Sequence, residues 1–122
     1  MNEIVLPWPS RDLHPNSRPH WAQRAKAARM ARETAHLLAI EAGWHRAEVP
    51  DGRLHIWWDF YPPDRRKRDD DGLLSSVKAA RDGLADALGI DDSRFVSHPY
   101  IREEVRKGGE VRVRITGEPD EN

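Results

Sequence analysis

The chain contains no cysteine. That excludes disulfides, thiolate zinc sites, iron–sulfur clusters and a cysteine nucleophile. It is also poor in large aliphatic residues. Leu, Ile, Val and Phe total 24 of 122 residues, about a fifth, which is near the floor for a packed domain. No apolar run reaches the roughly 18 residues a membrane span needs. The first residues lack a basic stretch followed by an apolar one, so a cytosolic protein is expected. Net charge of one sign is missing too: 20 Lys and Arg face 21 Asp and Glu, leaving −1. A chain that does not repel itself is not expected to be disordered throughout. Its length leaves room for one core. The expectation is a single domain over 1–117 and a disordered tail over 118–122.

What the chain does contain is five Trp and strongly segregated charge. Basic residues cluster at 24–32 and 65–68, acidic ones at 69–71, 91–92 and 118–121. A local basic patch suffices for nucleic-acid binding even when the total is neutral. A small monomer leaves much of its surface exposed, so a homo-oligomer is expected.

Residues 3–8 read as a strand ended by Pro7 and Pro9. Residues 9–19, with three Pro, read as a loop long enough to carry function. Residues 20–42 read as a helix, with Pro19 suited to its first position and Gly43 to its stop. Trp21, Ala25, Ala28, Ala31, Ala35, Leu38 and Ala42 fall on one face, small enough to pack closely on a sheet. Residues 53–61 alternate: Leu54, Ile56, Trp58 and Phe60 point one way, and His55, Trp57, Asp59 and Tyr61 the other. A charged loop over 64–70 leads to a second helix, about 71–88, stopped by Gly89. Residues 94–105 read as extended and broken by Pro99. Lys107-Gly108-Gly109-Glu110 reads as a hairpin turn before a last strand at 111–115. The order β-α-β-α-β-β implies an α+β fold, an α/β sandwich with about four strands in a mixed sheet and two helices.

The chemistry concentrates in Arg65-Arg66-Lys67-Arg68-Asp69-Asp70-Asp71-Gly72. Adjacent carboxylates repel unless something holds them together, and a divalent cation does. Mg²⁺ takes oxygen ligands and is commonly held by one or two carboxylates, with waters and substrate phosphates. In an extended approach Asp69 and Asp71 share a side and Asp70 faces away. On a continuous helix Asp71, Ser75, Lys78 and Asp82 form one polar stripe, with Lys78 able to reach a phosphate at the metal. Asp91-Asp92-Ser93, just past that helix, can supply a third carboxylate. Plainer roles compete for the same residues: Asp70 and Asp71 as helix caps, Asp91-Asp92-Ser93 as a turn, Lys78 and Asp82 as a surface pair. The basic run can be a solvated charge cluster. His14, His20 and His36 lack convincing metal-ligand spacing.

Several segments together resemble one family. They are Leu6-Pro7-Trp8-Pro9-Ser10, Pro62-Pro63-Asp64 with the run to Asp71, Lys78, Asp82-Gly83-Leu84-Ala85-Asp86-Ala87-Leu88, Asp91-Asp92-Ser93 and Lys107-Gly108-Gly109. Over nearly its whole length the sequence resembles the RusA family of Holliday junction resolvases, especially its phage-like members. The resemblance implies catalytic residues Asp69, Asp71, Lys78 and Asp92, with Asp69, Asp71 and Asp92 binding Mg²⁺, for which Mn²⁺ can substitute. The metal would activate a water and stabilise charge on the scissile phosphate. Lys78 would stabilise developing charge or orient the nucleophile. Arg65, Arg66, Lys67 and Arg68 would hold DNA phosphates, and His14, Asn16, Arg18 and His20 in the long loop are further candidates. The implied partner is a four-way DNA junction, cut by a homodimer in paired symmetric nicks during recombination and repair. Two departures stand out: Gly72 replaces the family's usual Asn, and Lys78 comes seven rather than four residues after the second Asp. Two other readings use the same residues, a catalytically silent branched-DNA-binding protein and a general phage nuclease or ribonuclease.

Overall fold

A computed structural model describes residues 1–117; the tail expected over 118–122 lies outside the described residues. The elements run β1 (Ile4–Pro7), α1 (Trp21–Glu41), β2 (Leu54–Tyr61), α2 (Asp70–Ser76), α3 (Lys78–Leu88), β3 (Phe95–Ile101) and β4 (Glu110–Thr116). Short 3-10 turns lie at Arg11–Leu13, Trp44–Arg46 and Asp92–Arg94. The four strands form one mixed sheet in the order β1-β4-β2-β3. β4 is antiparallel to both β1 and β2, and β3 is parallel to β2. The expected α+β architecture is present.

The alternation of β2 places Leu54, Ile56, Trp58 and Phe60 in the core, each fully buried. Ile4, Leu6, Trp44, Leu73, Val77, Leu84, Phe95, Val111, Val113 and Ile115 pack with them, together with alanines of the helices. The opposite sheet face is covered by its own side chains. Trp57 is buried beneath His98, whose ring stacks on it at 4.1 Å, with Tyr100 at 6.1 Å and the Arg114 guanidinium at 5.0 Å. Stacked aromatic and guanidinium groups shed apolar surface from water without a second layer.

α1 begins at Trp21, with His20 as its cap accepting from Ala22 N at 3.2 Å. Pro19 therefore stands outside the helix. Only Ala35 and Ala39 are fully buried on it, and Trp21 is 77% exposed. The expected face is used at its C-terminal half alone, because α1 lies mainly against α3. There Gly83 meets the α1 backbone: a Cβ at Gly83 would overlap the Arg32 carbonyl oxygen. Gly43 and Gly89 stop α1's turn and α3 with left-handed φ of 84° and 70°, the backbone state glycine adopts at least cost.

Two connections differ from the sequence pattern. The helix expected over 71–88 is interrupted at Val77, where φ is −103° and ψ 10°. Ser76 Oγ donates to Gly72 O at 2.9 Å, a side-chain bond that competes with the helical ladder. The turn at 107–110 joins no paired strands. Residues 102–109 instead cross the end of β2, where Arg102 N donates to Phe60 O at 2.8 Å and Arg106 N to Pro62 O at 2.9 Å. β4 then enters the sheet between β1 and β2. Pro99 does not break β3, which runs through it on the edge of the sheet.

Candidate functional site

The chain leaves β2 at Tyr61 and reaches α2 through the basic run. Asp64 organises that loop. It accepts from Arg66 N at 3.0 Å and Arg66 Nε at 3.2 Å, and pairs with Arg68 at 2.8 Å. These donors, the Arg66 backbone N–H first, hold its carboxyl below the usual carboxylate range. Arg68 also donates to Asp64 O and Arg66 O and lies over the Trp8 ring, 5.4 Å from its centroid. The loop is thus folded on itself, with Arg65, Arg66 and Lys67 exposed.

Asp69 is the cap of α2. Its backbone is extended (φ −107°, ψ 150°), and its side chain turns back to accept from Gly72 N at 2.5 Å. Asp70 and Asp71 already belong to the first helical turn, where the helix dipole favours carboxylates. Alternation along an extended chain therefore ends at Asp69, and Asp69 and Asp71 line different concavities. Asp69 joins His14, Asn16, Arg66, Lys67 and Arg68 around a space of about 830 Å³. Arg18 and Arg65 are not part of its lining. Asp71 joins Ser75, Lys78, Arg81 and Ser97 around a space of about 510 Å³.

Gly72 lies between the cap and the loop. A Cβ there would be 3.0 Å from both Asp69 Oδ1 and His14 Nε2. An Asn at this position would push against both groups, so the glycine fits the way His14 approaches the cap. His14 is itself fixed: its Nδ1 accepts from Asn16 N at 3.1 Å, and its carbonyl, with that of Ser17, receives Arg24 Nη2.

The second acidic segment closes on α3. Asp91 caps the turn, accepting from Ser93 N at 2.9 Å, and that bond keeps its carboxyl low. Asp92 approaches Asp82. Burial, then the neighbouring Asp92, push the Asp82 carboxyl up, while Lys78 opposes the shift. Lys78 and Arg81 connect this pair with Asp71: Arg81 Nη2 donates to Asp92 O at 2.9 Å and Phe95 O at 3.1 Å. Arg81 Nε is buried without a partner. An orphaned guanidinium N–H costs stability unless a ligand uses it.

Asp71, Lys78, Asp82 and Asp92 thus occupy one region, and Asp69 faces the other side of the α2 N-terminus. Among the described residues no three carboxylates or imidazoles stand close enough to hold a metal ion by themselves. The donor chemistry nevertheless suits a hard divalent cation. Two carboxylates in contact are costly unless a proton or cation lies between them, and Mg²⁺ needs few protein ligands when phosphate oxygens and waters complete its shell. Arg81 was absent from the expected site, and Asp82 entered it only as a member of the polar stripe. For Arg81 its place next to that stripe was the available signal; the orphaned Nε is visible only in three dimensions.

No helix among the described residues is long and apolar enough to cross a membrane. No family model matches the chain. A protein of Xylella fastidiosa Temecula1, described as uncharacterized, is 54% identical over 118 residues, 96% of this chain and 77% of that protein. The crossover junction endodeoxyribonuclease RusA of Escherichia coli K12 is 32% identical over 120 residues, 93% of this chain and 92% of the relative. That of Shigella sonnei is 30% identical over 118 residues with the same coverage. Likeness along nearly the full length of both partners places this chain in the RusA-like family.

Proposed function

We propose that the protein is a structure-selective endodeoxyribonuclease that resolves four-way DNA junctions in recombination and repair, in the cytoplasm. The observation that carries this reading is the juxtaposition at α2: a cationic concavity on one side of its N-terminus, and Asp71, Lys78 and Arg81 beside the Asp82–Asp92 pair on the other. Arg66, Lys67 and Arg68 hold phosphates of the bound strand, with Arg65 at the rim. Asp71 and Asp92 hold Mg²⁺, or Mn²⁺. Asp69 joins them only by releasing Gly72 N. When bound, the cation supplies an activated water and charge stabilisation at the scissile phosphate. Lys78 places its ammonium against the non-bridging oxygens as charge develops. Arg81 adds its positive charge to the wall of this concavity, and its bonds to Asp92 O and Phe95 O hold the guanidinium in place.

Two nicks on opposed strands call for two equal sites, which a two-fold homodimer supplies. Light scattering is expected to give twice the chain mass; a mass of one chain at working concentration overturns the dimer. The nuclease reading is tested by cleavage of a four-way junction, a linear duplex and an RNA hairpin, each with and without Mg²⁺. Mg²⁺-dependent cutting confined to the junction is expected. Equal rates on all three favour a general nuclease, and tight junction binding with no cutting under any metal favours a silent binding protein.

A further inference from the structure

A second cleft lies beside the cationic concavity, unused by the chemistry above. It runs between residues 6–13 and α1 and encloses about 500 Å³. Its walls are mostly apolar: Leu6, Trp8 and Leu13 on one side, Ala27, Met30 and Ala31 on the other, with the interrupted turn at Val77 near its base. Besides Ser10 and Ser76, whose hydroxyls bond Asp12 N and Gly72 O, four polar side chains line it: Asp12, Gln23, Lys26 and Thr34. Among the described residues none of the four makes a side-chain hydrogen bond or ion pair. An apolar slot with a few unspent donors and acceptors has the composition of a small-ligand site.

Its position narrows the ligand. Trp8, Pro9 and Ser76 line both this cleft and the cationic concavity, so the two open onto a shared wall. Trp8 is held firmly in that wall. A Cβ at Gly109 would lie 2.9 Å from Trp8 Cβ, Cγ and Cδ2, and Arg68 sits over the ring. A group that is flat, largely apolar on its faces, polar at its edge and tethered to a phosphate fits both spaces at once. We infer that the cleft receives one nucleobase unstacked from the bound DNA, whose phosphate rests among Arg11, Arg66, Lys67 and Arg68. Asp12 accepts from an exocyclic amine, Lys26 donates to a ring nitrogen or carbonyl, and Gln23 and Thr34 do either. The cleft then contributes both junction selectivity, since a base at a branch point is easier to unstack than one in a duplex, and a preference for the base at that position.

The inference rests on the reading of the chain as a junction-binding protein, and its test separates the two. A four-way junction carries 2-aminopurine at successive positions around the branch point, and the full chain is titrated in without divalent metal. A several-fold rise in emission at one position is expected. Ala31→Leu and Ala27→Leu fill the cleft with good helix formers at partly exposed sites. Both are expected to keep junction affinity within about threefold, because the phosphate contacts remain, while emission stays at the level of the free junction. Gln23→Ala is expected to keep the emission rise and change which base at that position is bound best. Absence of salt-dependent junction binding by the unaltered chain sinks the junction reading itself. Binding with flat emission at every position, or an unchanged rise in both folded Leu variants, overturns the base cleft and leaves that reading intact. A change in solution mass without loss of emission also overturns it, and makes the cleft a contact between copies of the chain.

Discussion

The close approach of α3 to α1 makes Gly83→Ala a two-sided test of the packing. In an open helix the change stabilises by about 1 kcal/mol, since alanine is the better helix former. Here the added Cβ overlaps the Arg32 carbonyl oxygen, lies 3.0 Å from the Arg32 carbonyl carbon and 3.2 Å from Ala35 Cβ. The obstruction is backbone and cannot swing aside as a side chain would. The helices must part by roughly 1 Å to recover ordinary contact distance, which loosens Leu84 and Ala80 against Ala35 and Ala39. Overpacking of this kind costs about 1–3 kcal/mol, enough to outweigh the propensity gain. A net loss of about 1 kcal/mol moves a urea midpoint down by about 0.5 M at an m-value of about 2 kcal/mol/M. Urea titration of the Trp fluorescence measures it, the buried Trp44, Trp57 and Trp58 reporting the transition. An unchanged or higher midpoint with an unchanged slope would refute the close crossing.

Four further outcomes are expected. Asp71→Asn keeps most of the side-chain volume and removes a charge, so single-turnover junction cleavage at saturating Mg²⁺ should fall by orders of magnitude with binding retained; wild-type rates would falsify its assignment as a ligand. Asp69→Ala removes the α2 cap and should cost about 1 kcal/mol in thermal or chemical unfolding, whereas Asp69→Asn, which still caps, should cost only a few tenths; equal losses would count against the cap. Arg66→Ala with Arg68→Ala should weaken junction binding and flatten the plot of log K against log salt by about one unit per lost contact, and an unaltered slope removes this run from the phosphate contacts. His98 is held below the ordinary imidazole range by burial and then by His55, with which it shares a 2.8 Å hydrogen bond. A depressed histidine binds its proton more readily unfolded. The contribution is therefore intact above about pH 6.5, the unfolded value, and is lost as pH falls through the lower folded value. Urea midpoints should drop from pH 7.5 to 5.5, and less so in His98→Gln; parallel profiles would show that His98 does not contribute to the pH dependence of unfolding.

Much of the fold was legible because its signals are local. The period-2 pattern of β2 needed no tertiary information, and Gly43 and Gly89 mark stops that glycine's left-handed freedom explains. The features that were not legible depend on distant partners. Nothing in the pattern over 71–88 forces a break at Val77; the Ser76 hydroxyl makes its bond to Gly72 O in a buried setting. Lys107-Gly108-Gly109 has hairpin chemistry, yet the pairing of β4 with β2 is decided by the crossing at Phe60 and Pro62. At the site, the acidic run marked the right segment, and the capping geometry divided its members: Asp69 to one concavity, Asp71 to another. Trp57 lies, as its alternation implies, on the sheet face opposite the core, yet it is buried, because His98 and Tyr100 arrive from a strand forty residues later.

The sheet's two outer strands each carry a proline, Pro7 in β1 and Pro99 in β3. β1 is also only four residues long. A proline offers no amide hydrogen to an incoming backbone, and a short margin offers few registers. Both margins are thereby poorer templates for lateral growth, which discourages strand-by-strand polymerisation in a protein with little aliphatic bulk to spare. Pairing of two copies through helices, loops or a sheet face is favoured by comparison, and there the contacts are side chain to side chain and their specificity is written in residue identity rather than in a generic ladder of peptide groups.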